Sequence, residues 1–168
     1  MRLTNTKDSF GGIAKFFHWL MALFLIAQYC TIFIREYLLP SGDPFSMSLL
    51  VDWHKPIGIL ILLLVFFRLT WRFTNPVPGY DDEMPFWEKR LAKLIHFLLY
   101  VSMIVMPASG IIMSQAAGYS ATFFFDYTLP VLFAKNAQIG FIAHETHFST
   151  SWGLVALFCV HIAGALTH

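Results

Sequence analysis

Apolar residues gather into four long stretches along the chain, and the segments between them contain most of the charged residues. Each stretch approaches or exceeds the roughly 20 apolar residues that a helix needs to cross a hydrocarbon core of about 30 Å. The pattern therefore predicts four membrane-spanning helices, at about residues 13–35, 49–71, 91–114 and 146–168. Residues 1–168 are expected to form a single domain.

The composition agrees with this interpretation and excludes a soluble domain. Hydrophobic residues make up 57% of the chain, charged residues 12%, and the mean hydropathy is +0.63. We therefore predict an all-α fold, an integral membrane four-helix bundle in contact with lipid. The formal net charge of +1 gives no indication of a nucleic-acid partner, and none is expected.

The distribution of lysine and arginine sets the expected orientation. Eight of the 11 basic residues lie in the N-terminal segment or around the connection between the second and third helices. By the positive-inside rule these segments face the cytoplasm, so both termini are expected there. The long third connection, about residues 115–145, then lies outside and is expected to fold over the bundle or rest against the membrane. The other three cations are also outside: Arg35, Lys55 and Lys135.

Histidines recur at defined depths within these helices. His147 and His161 are 14 residues apart in the fourth helix, which places them within about 40° of one face and about 21 Å apart. A polar ring nitrogen inside a membrane costs several kcal/mol unless a partner satisfies it. Each intramembrane histidine is therefore a candidate ligand.

The predicted orientation sorts the histidines into two groups. His54 and His147 lie toward the outside, whereas His18 and His161 lie toward the cytoplasm, together with His96 and His168. Two such pairs stacked across a four-helix bundle suit two b-type haems, each with iron between neutral imidazoles. His96 could instead pair with His161 and leave His18 free. Because both axial positions would be filled, the pattern favours electron transfer over oxygen binding.

Other uses of intramembrane histidines fit less well. A metal transporter usually adds intramembrane carboxylates, yet these predicted helices contain no Asp or Glu away from their ends. A zinc site needs three or four ligands at one depth, and the outer group offers two. A proton pathway through histidines is a further alternative, but it would lack acidic members.

Several stretches resemble the bacterial cytochrome b561 family. They are FFHWL in the first helix, DWHKPIGIL and RLTWR in the second, IHFLLYVSMIVMPASGIIMS in the third, and His147 with VHIAGALTH in the fourth. The resemblance implies a protein of the bacterial inner membrane with two haem b groups. It implies that His18 with His161, and His54 with His147, are the axial ligands of the haem irons.

The pattern is most similar to the superoxide oxidase branch of that family. This similarity implies oxidation of superoxide on the periplasmic side and reduction of ubiquinone near the cytoplasmic haem. One departure concerns the outer ligand of the last helix, where the family usually has His-Glu. Here His144 precedes Glu145 while His147 precedes Phe148, so His144 competes with His147. The chain also ends at His168, where the family often continues.

Superoxide is a small anion, so Lys55, beside His54, is the candidate residue for attracting it. The outer segments carry five carboxylates against three cations, a formal sum of −2, so any attraction must be local. His96 and His168 are titratable groups on the inner side and are candidates to face ubiquinone. Two alternatives stay open: a membrane-anchor cytochrome b subunit that passes electrons between quinone and a docked redox protein, and a haem or metal transporter.

Overall fold

The computed structural model describes residues 2–80, 83–124 and 127–167, and it confirms the predicted all-α, four-helix fold. Four helical spans are long and apolar enough to cross a membrane. Because the number of spans is even, the two ends of the bundle's chain emerge on the same side. The spans are Gly12–Leu38, Pro44–Thr74, Phe86–Ala116 and Ala137–Thr167.

Each of the first two spans is a continuous helix that contains a π-helical turn, whereas the third and fourth are each a single α-helix. In the first span, α1 (Gly12–Phe33) continues into a π-helical turn (Ile34–Leu38). In the second, α2 (Pro44–Ser48), a π-helical turn (Leu49–His54) and α3 (Lys55–Thr74) follow without a break. The third span is α4 (Phe86–Ala116) and the fourth is α5 (Ala137–Thr167).

Several helices begin earlier than the apolar pattern predicted. The fourth begins at Ala137, so the expected start near Thr146 was wrong. The side chain of Asn136 accepts hydrogen bonds of 3.0 Å from the backbone N–H groups of Gln138 and Ile139 and caps the helix there. The polar residues from His144 to Thr146 lie inside this helix. Its first turns therefore lie before the apolar segment from which its start was predicted. Asp43 caps the second span in the same way, through the N–H of Phe45.

The described part of the shortened third connection, residues 117–124 and 127–136, folds over the outer end of the bundle, one of its two expected placements. Gln115, which is 3% exposed, ties it down. Its Nε2 donates to the carbonyl of Pro130 at 2.9 Å, and its Oε1 accepts from the N–H of Leu132 at 2.9 Å. Phe124 packs against the hydrophobic core. We call residues 117–136 the outer cap.

A hydrophobic core joins all four spans at mid-depth. Closest backbone packing pairs α4 with α5, and α3 packs on both α1 and α4. Between α1 and α5, the hydroxyl of Tyr29 donates to the carbonyl of Ser151 at 2.8 Å. Leu154 stands seven residues after His147 and seven before His161, so the core separates the two histidine levels. Its buried members are Met21, Leu25, Ile57, Ile61, Val65, Leu99, Met103 and Leu154.

Replacing Leu154 should show how much this central layer stabilises the bundle. Leu154 is 1% exposed, so Leu154→Ala leaves a cavity and should lower the free energy of unfolding by about 2–5 kcal/mol. Leu166 in the same helix is 82% exposed and gives the matched control, Leu166→Ala. Thermal unfolding of both variants in detergent is the measurement. Equal midpoints for the two would contradict the assignment of Leu154 to the core.

Candidate functional site

His54 and His147 face each other at the outer end of the bundle. Their ring centroids are 6.3 Å apart and their planes are inclined by 73°. A metal–nitrogen bond of about 2.0 Å plus a ring radius of roughly 1.1 Å, counted on both sides, separates two axial imidazoles by about 6 Å. The spacing therefore fits two imidazoles on opposite sides of one iron.

The hydrogen bonds around His54 fix which nitrogen of its ring is free. The hydroxyl of Thr31 donates to the carbonyl of Gln28 at 2.7 Å, which uses its one hydrogen. The same oxygen lies 3.1 Å from His54 Nδ1 and must accept there. A neutral His54 therefore carries its proton on Nδ1 and presents the Nε2 lone pair for a metal. The amide of Gln28 also donates to the His54 carbonyl at 3.0 Å.

His147 is held in the same tautomer from α4. Its Nδ1 lies 2.8 Å from the carbonyl oxygen of Met106, which can only accept a hydrogen bond. Ser109, whose hydroxyl donates to the same carbonyl, lies 3.4 Å from that nitrogen. Gly110 leaves space for the ring, since a Cβ there would lie 3.1 Å from His147 Cε1. Both outer histidines thus expose Nε2.

His144, the competing outer ligand, faces away from this pair. It is exposed, its Nδ1 lies 3.0 Å from Glu145 Oε1, and its ring stacks on Phe148. The structure therefore brings His147, and not His144, to His54.

Three histidines meet at the inner end. The rings of His18 and His161 have centroids 6.1 Å apart and planes inclined by 75°, close to the outer geometry. The ring centroid of His96 lies 5.3 Å from that of His161, which is shorter than the spacing of about 6 Å that a shared metal requires. All three line one cavity of about 250 Å³ together with Arg68 and Arg72. The distances favour His18 over His96 as the partner of His161.

Arg68 makes the inner pair different from the outer pair. Its Nη2 donates to His18 Nδ1 at 3.3 Å, so a neutral His18 carries its proton on Nε2 in this arrangement. Binding iron through Nε2 requires the proton to move to Nδ1 and Arg68 to turn aside. Other partners are within reach, because its guanidinium lies 5.5 Å from the ring centroid of Tyr100 and 3.7 Å from the sulfur of Met21. His168 lies outside the described residues.

Lys55 follows His54 in the chain, is half-buried and contacts the outer cap. Its Nζ donates to the hydroxyl of Ser114 at 3.0 Å and lies 5.8 Å from the ring centroid of Tyr119. Lys135 packs on the same part of the cap, beside Gly118. Arg35 is paired with Glu36 instead. Two of the three outer cations therefore lie close to the cap.

The sequence pattern missed the residues that orient the histidines. Thr31 and Ser109 are hydroxyl residues inside apolar runs, and such residues often bond to backbone within a helix, so nothing marked them. The carbonyl of Met106 has no side-chain signature at all. Arg68 was counted only as a positive charge for topology, although it stands at the level of His18.

Comparisons with known proteins identify the family of this chain. The family profile described as prokaryotic cytochrome b561 matches residues 9–168. Cytochrome b561 homolog 2 of Escherichia coli K12 is 28% identical over 168 residues, covering 100% of this chain and 88% of the relative. Cytochrome b561 homolog 1 of the same organism is 25% identical over 163 residues, covering 96% of this chain and 90% of the relative. The chain belongs to the prokaryotic cytochrome b561 family, multi-pass proteins of the bacterial inner membrane that bind haem b and transfer electrons.

Proposed function

We propose that this protein holds two haem b groups and transfers electrons from superoxide on the periplasmic side to ubiquinone at the inner end. His54 and His147 hold the outer haem, and His18 and His161 hold the inner one. The observation that carries the proposal is the outer pair, whose rings stand 6.3 Å apart with both Nδ1 atoms bonded to acceptors. That arrangement leaves two Nε2 lone pairs for one iron.

Haem b held between two of these imidazoles would supply a centre that gains and loses one electron at a time. The residues of this chain hold and insulate two such centres. Thr31 and Met106 accept hydrogen bonds from Nδ1 of the two outer histidines and so keep these rings in the tautomer that binds a metal. The same hydrogen bonds raise the basicity of the Nε2 atoms. Leu154 and the core around it keep water out of the space between the two levels.

The overall reaction balances with two molecules of superoxide for each quinone. Each superoxide loses one electron and becomes oxygen, and one ubiquinone takes up two electrons and two protons to become ubiquinol. Lys55 attracts the anion toward the outer site, since it follows His54 in the chain and its ammonium contacts the neutral side chains of Ser114 and Tyr119. Because the outer segments sum to −2, this attraction acts only at short range.

His96 supplies protons for quinone reduction. It lines the inner cavity without taking the place of His18, and its ring lies 5.3 Å from that of His161. An imidazole in this position can pass a proton to a reduced quinone oxygen. From its place in the sequence, His168 is the second candidate for the same role.

Superoxide itself provides the direct test of the function. A steady supply of superoxide should reduce the purified, oxidised, haem-loaded protein, and superoxide dismutase should abolish that reduction. The visible haem spectrum reports the result, and added ubiquinone should restore the oxidised bands. If the haem stays oxidised while superoxide is present, superoxide is not the donor, and the alternative of an anchor for a docked redox protein becomes the better one.

The ligand assignment predicts separate losses. His147→Ala should lose only the outer haem and His18→Ala only the inner one, so the haem-to-protein ratio should fall from about two to about one in each. The matched control is His144→Ala, which removes an exposed histidine paired with Glu145 and should keep both haems. Retention of both haems in His147→Ala, or loss of one in His144→Ala, would refute the outer pairing.

Gly110 tests the space that His147 occupies. In Gly110→Ala the new Cβ stands 3.1 Å from the His147 ring, so the ring must move by a few tenths of an ångström from its present position. We expect roughly half of the total haem to be lost, measured after purification as the haem-to-protein ratio. Gly153→Ala in α5 is the control, because a Cβ there meets nothing within 4 Å. A normal haem content in Gly110→Ala would show that the ring position is not critical.

Lys55→Glu tests the electrostatic attraction. Reversing the charge should slow reduction by superoxide about tenfold at low ionic strength and much less at high ionic strength, since salt screens the interaction. Lys93→Glu makes the same charge change at the opposite end of the bundle and should leave the rate unchanged. A Lys55→Glu rate that does not depend on salt would remove Lys55 from the proposed mechanism.

A further inference from the structure

The segment before α1 lies across the inner end of the bundle, and we call residues 2–11 the N-terminal strap. Asn5 anchors it and is only 8% exposed. Its Nδ2 donates to the carbonyl of Pro76 at 2.9 Å, and its Oδ1 accepts from the N–H of Gly11 at 2.9 Å. One side chain thus ties the strap both to itself and to the connection between α3 and α4.

Backbone contacts fold the strap tightly against its surroundings. The N–H groups of Gly12 and Ile13, in the first turn of α1, donate to the carbonyls of Arg2 and Leu3 at 2.9 and 3.2 Å. These bonds satisfy donors that a helix start leaves without partners. At Gly11 the chain passes so close to Leu3 and Thr4 that an added Cβ would lie 2.4 Å from their backbone atoms. Only glycine permits this closed fold.

The strap also forms part of the inner cavity. Asn5 and Phe10 line the same 250 Å³ space as His18, His96 and His161, and Val77 from the neighbouring connection completes this side. Arg68 and Arg72 line it as well, so water entering here would reach charged groups and imidazoles together. The wall made by the strap lies on the side of the cavity that faces the end of the bundle where both termini emerge.

We propose that the N-terminal strap is the cytoplasmic wall of the inner site and that Asn5 is the positioning residue that holds it closed. Closure keeps water away from His18 and His161. Insofar as those histidines hold a haem, the inference rests on the proposed function, and the strap then raises the reduction potential of the inner haem by limiting its exposure to solvent. The closing of the wall itself does not depend on the haem.

The wall can be tested by labelling a cysteine placed behind it. Ala14 lines the cavity, so Ala14→Cys is introduced together with Cys30→Ala and Cys159→Ala, and its reaction with a water-soluble maleimide is timed. Adding Gly11→Ala should speed labelling about tenfold, because the strap cannot close over the new Cβ. The matched control is Gly12→Ala, where a Cβ meets nothing closer than 3.6 Å. Equal labelling rates in Gly11→Ala and Gly12→Ala would overturn the proposal.

Substitutions at Asn5 keep the test valid if Gly11→Ala does not fold. Asn5→Ala removes both hydrogen bonds and should speed labelling about tenfold. Asn5→Asp keeps the acceptor for Gly11 but loses the donor to Pro76, so its rate should fall between those of the parent and Asn5→Ala. If Asn5→Ala labels at the parental rate, Asn5 does not hold the wall and the proposal fails.

Redox titration of the same variants separates the strap from the proposed function. In Asn5→Ala and Gly11→Ala the potential of one haem should fall while the other stays constant, and His18→Ala should remove the haem whose potential moves. Faster labelling with no change in either potential supports the wall and refutes the inner haem assignment. A shifted potential with unchanged labelling refutes the wall.

Discussion

The constraint on which this structure depends is the cost of placing an imidazole nitrogen in a membrane without a partner. A neutral histidine has one donor and one acceptor, and both must be satisfied. At the outer end the donors are satisfied by Thr31 and by the carbonyl of Met106. The two rings lie 6.3 Å apart, a spacing that suits one iron, so the hydrogen bonds that lower the cost of burial would also prepare the rings to bind it.

The two ends meet this constraint differently. Outer histidines receive neutral acceptors from α1 and α4, which cannot change protonation state. The inner His18 instead receives a donor from Arg68 and shares its cavity with His96 and His161. If the proposed ligands are correct, the outer site is preorganised for haem, whereas the inner site combines the proposed ligand pair with cations and an additional imidazole. This combination of imidazoles and arginines suits the proposed reduction of a quinone, which takes up protons and electrons together.

The four spans and the two levels at which the described intramembrane histidines lie could be predicted from the sequence, because both follow from apolar run length and the helical repeat. The start of α5 could not, because the polar residues from His144 to Thr146 resemble a loop although Asn136 already caps the helix. The choice between His144 and His147 likewise needed the structure, since it depends on where α4 places Met106 and Gly110. The strap was invisible to pattern analysis, because Asn5 in a short polar segment carries no distinctive signal.

Leu154 lies seven residues from His147 and seven from His161, and this equal spacing limits how the surroundings of the two histidines can change independently. Seven residues are nearly two helical turns, so His147, Leu154 and His161 lie along one stripe of α5. A rotation or tilt of α5 therefore moves His147, Leu154 and His161 together. The surroundings of one histidine level can be changed independently of the other only by substitutions in α1, α3 and α4. Helix α5 therefore contributes one histidine to each level, and the residues that differ between the two levels lie on the helices opposite.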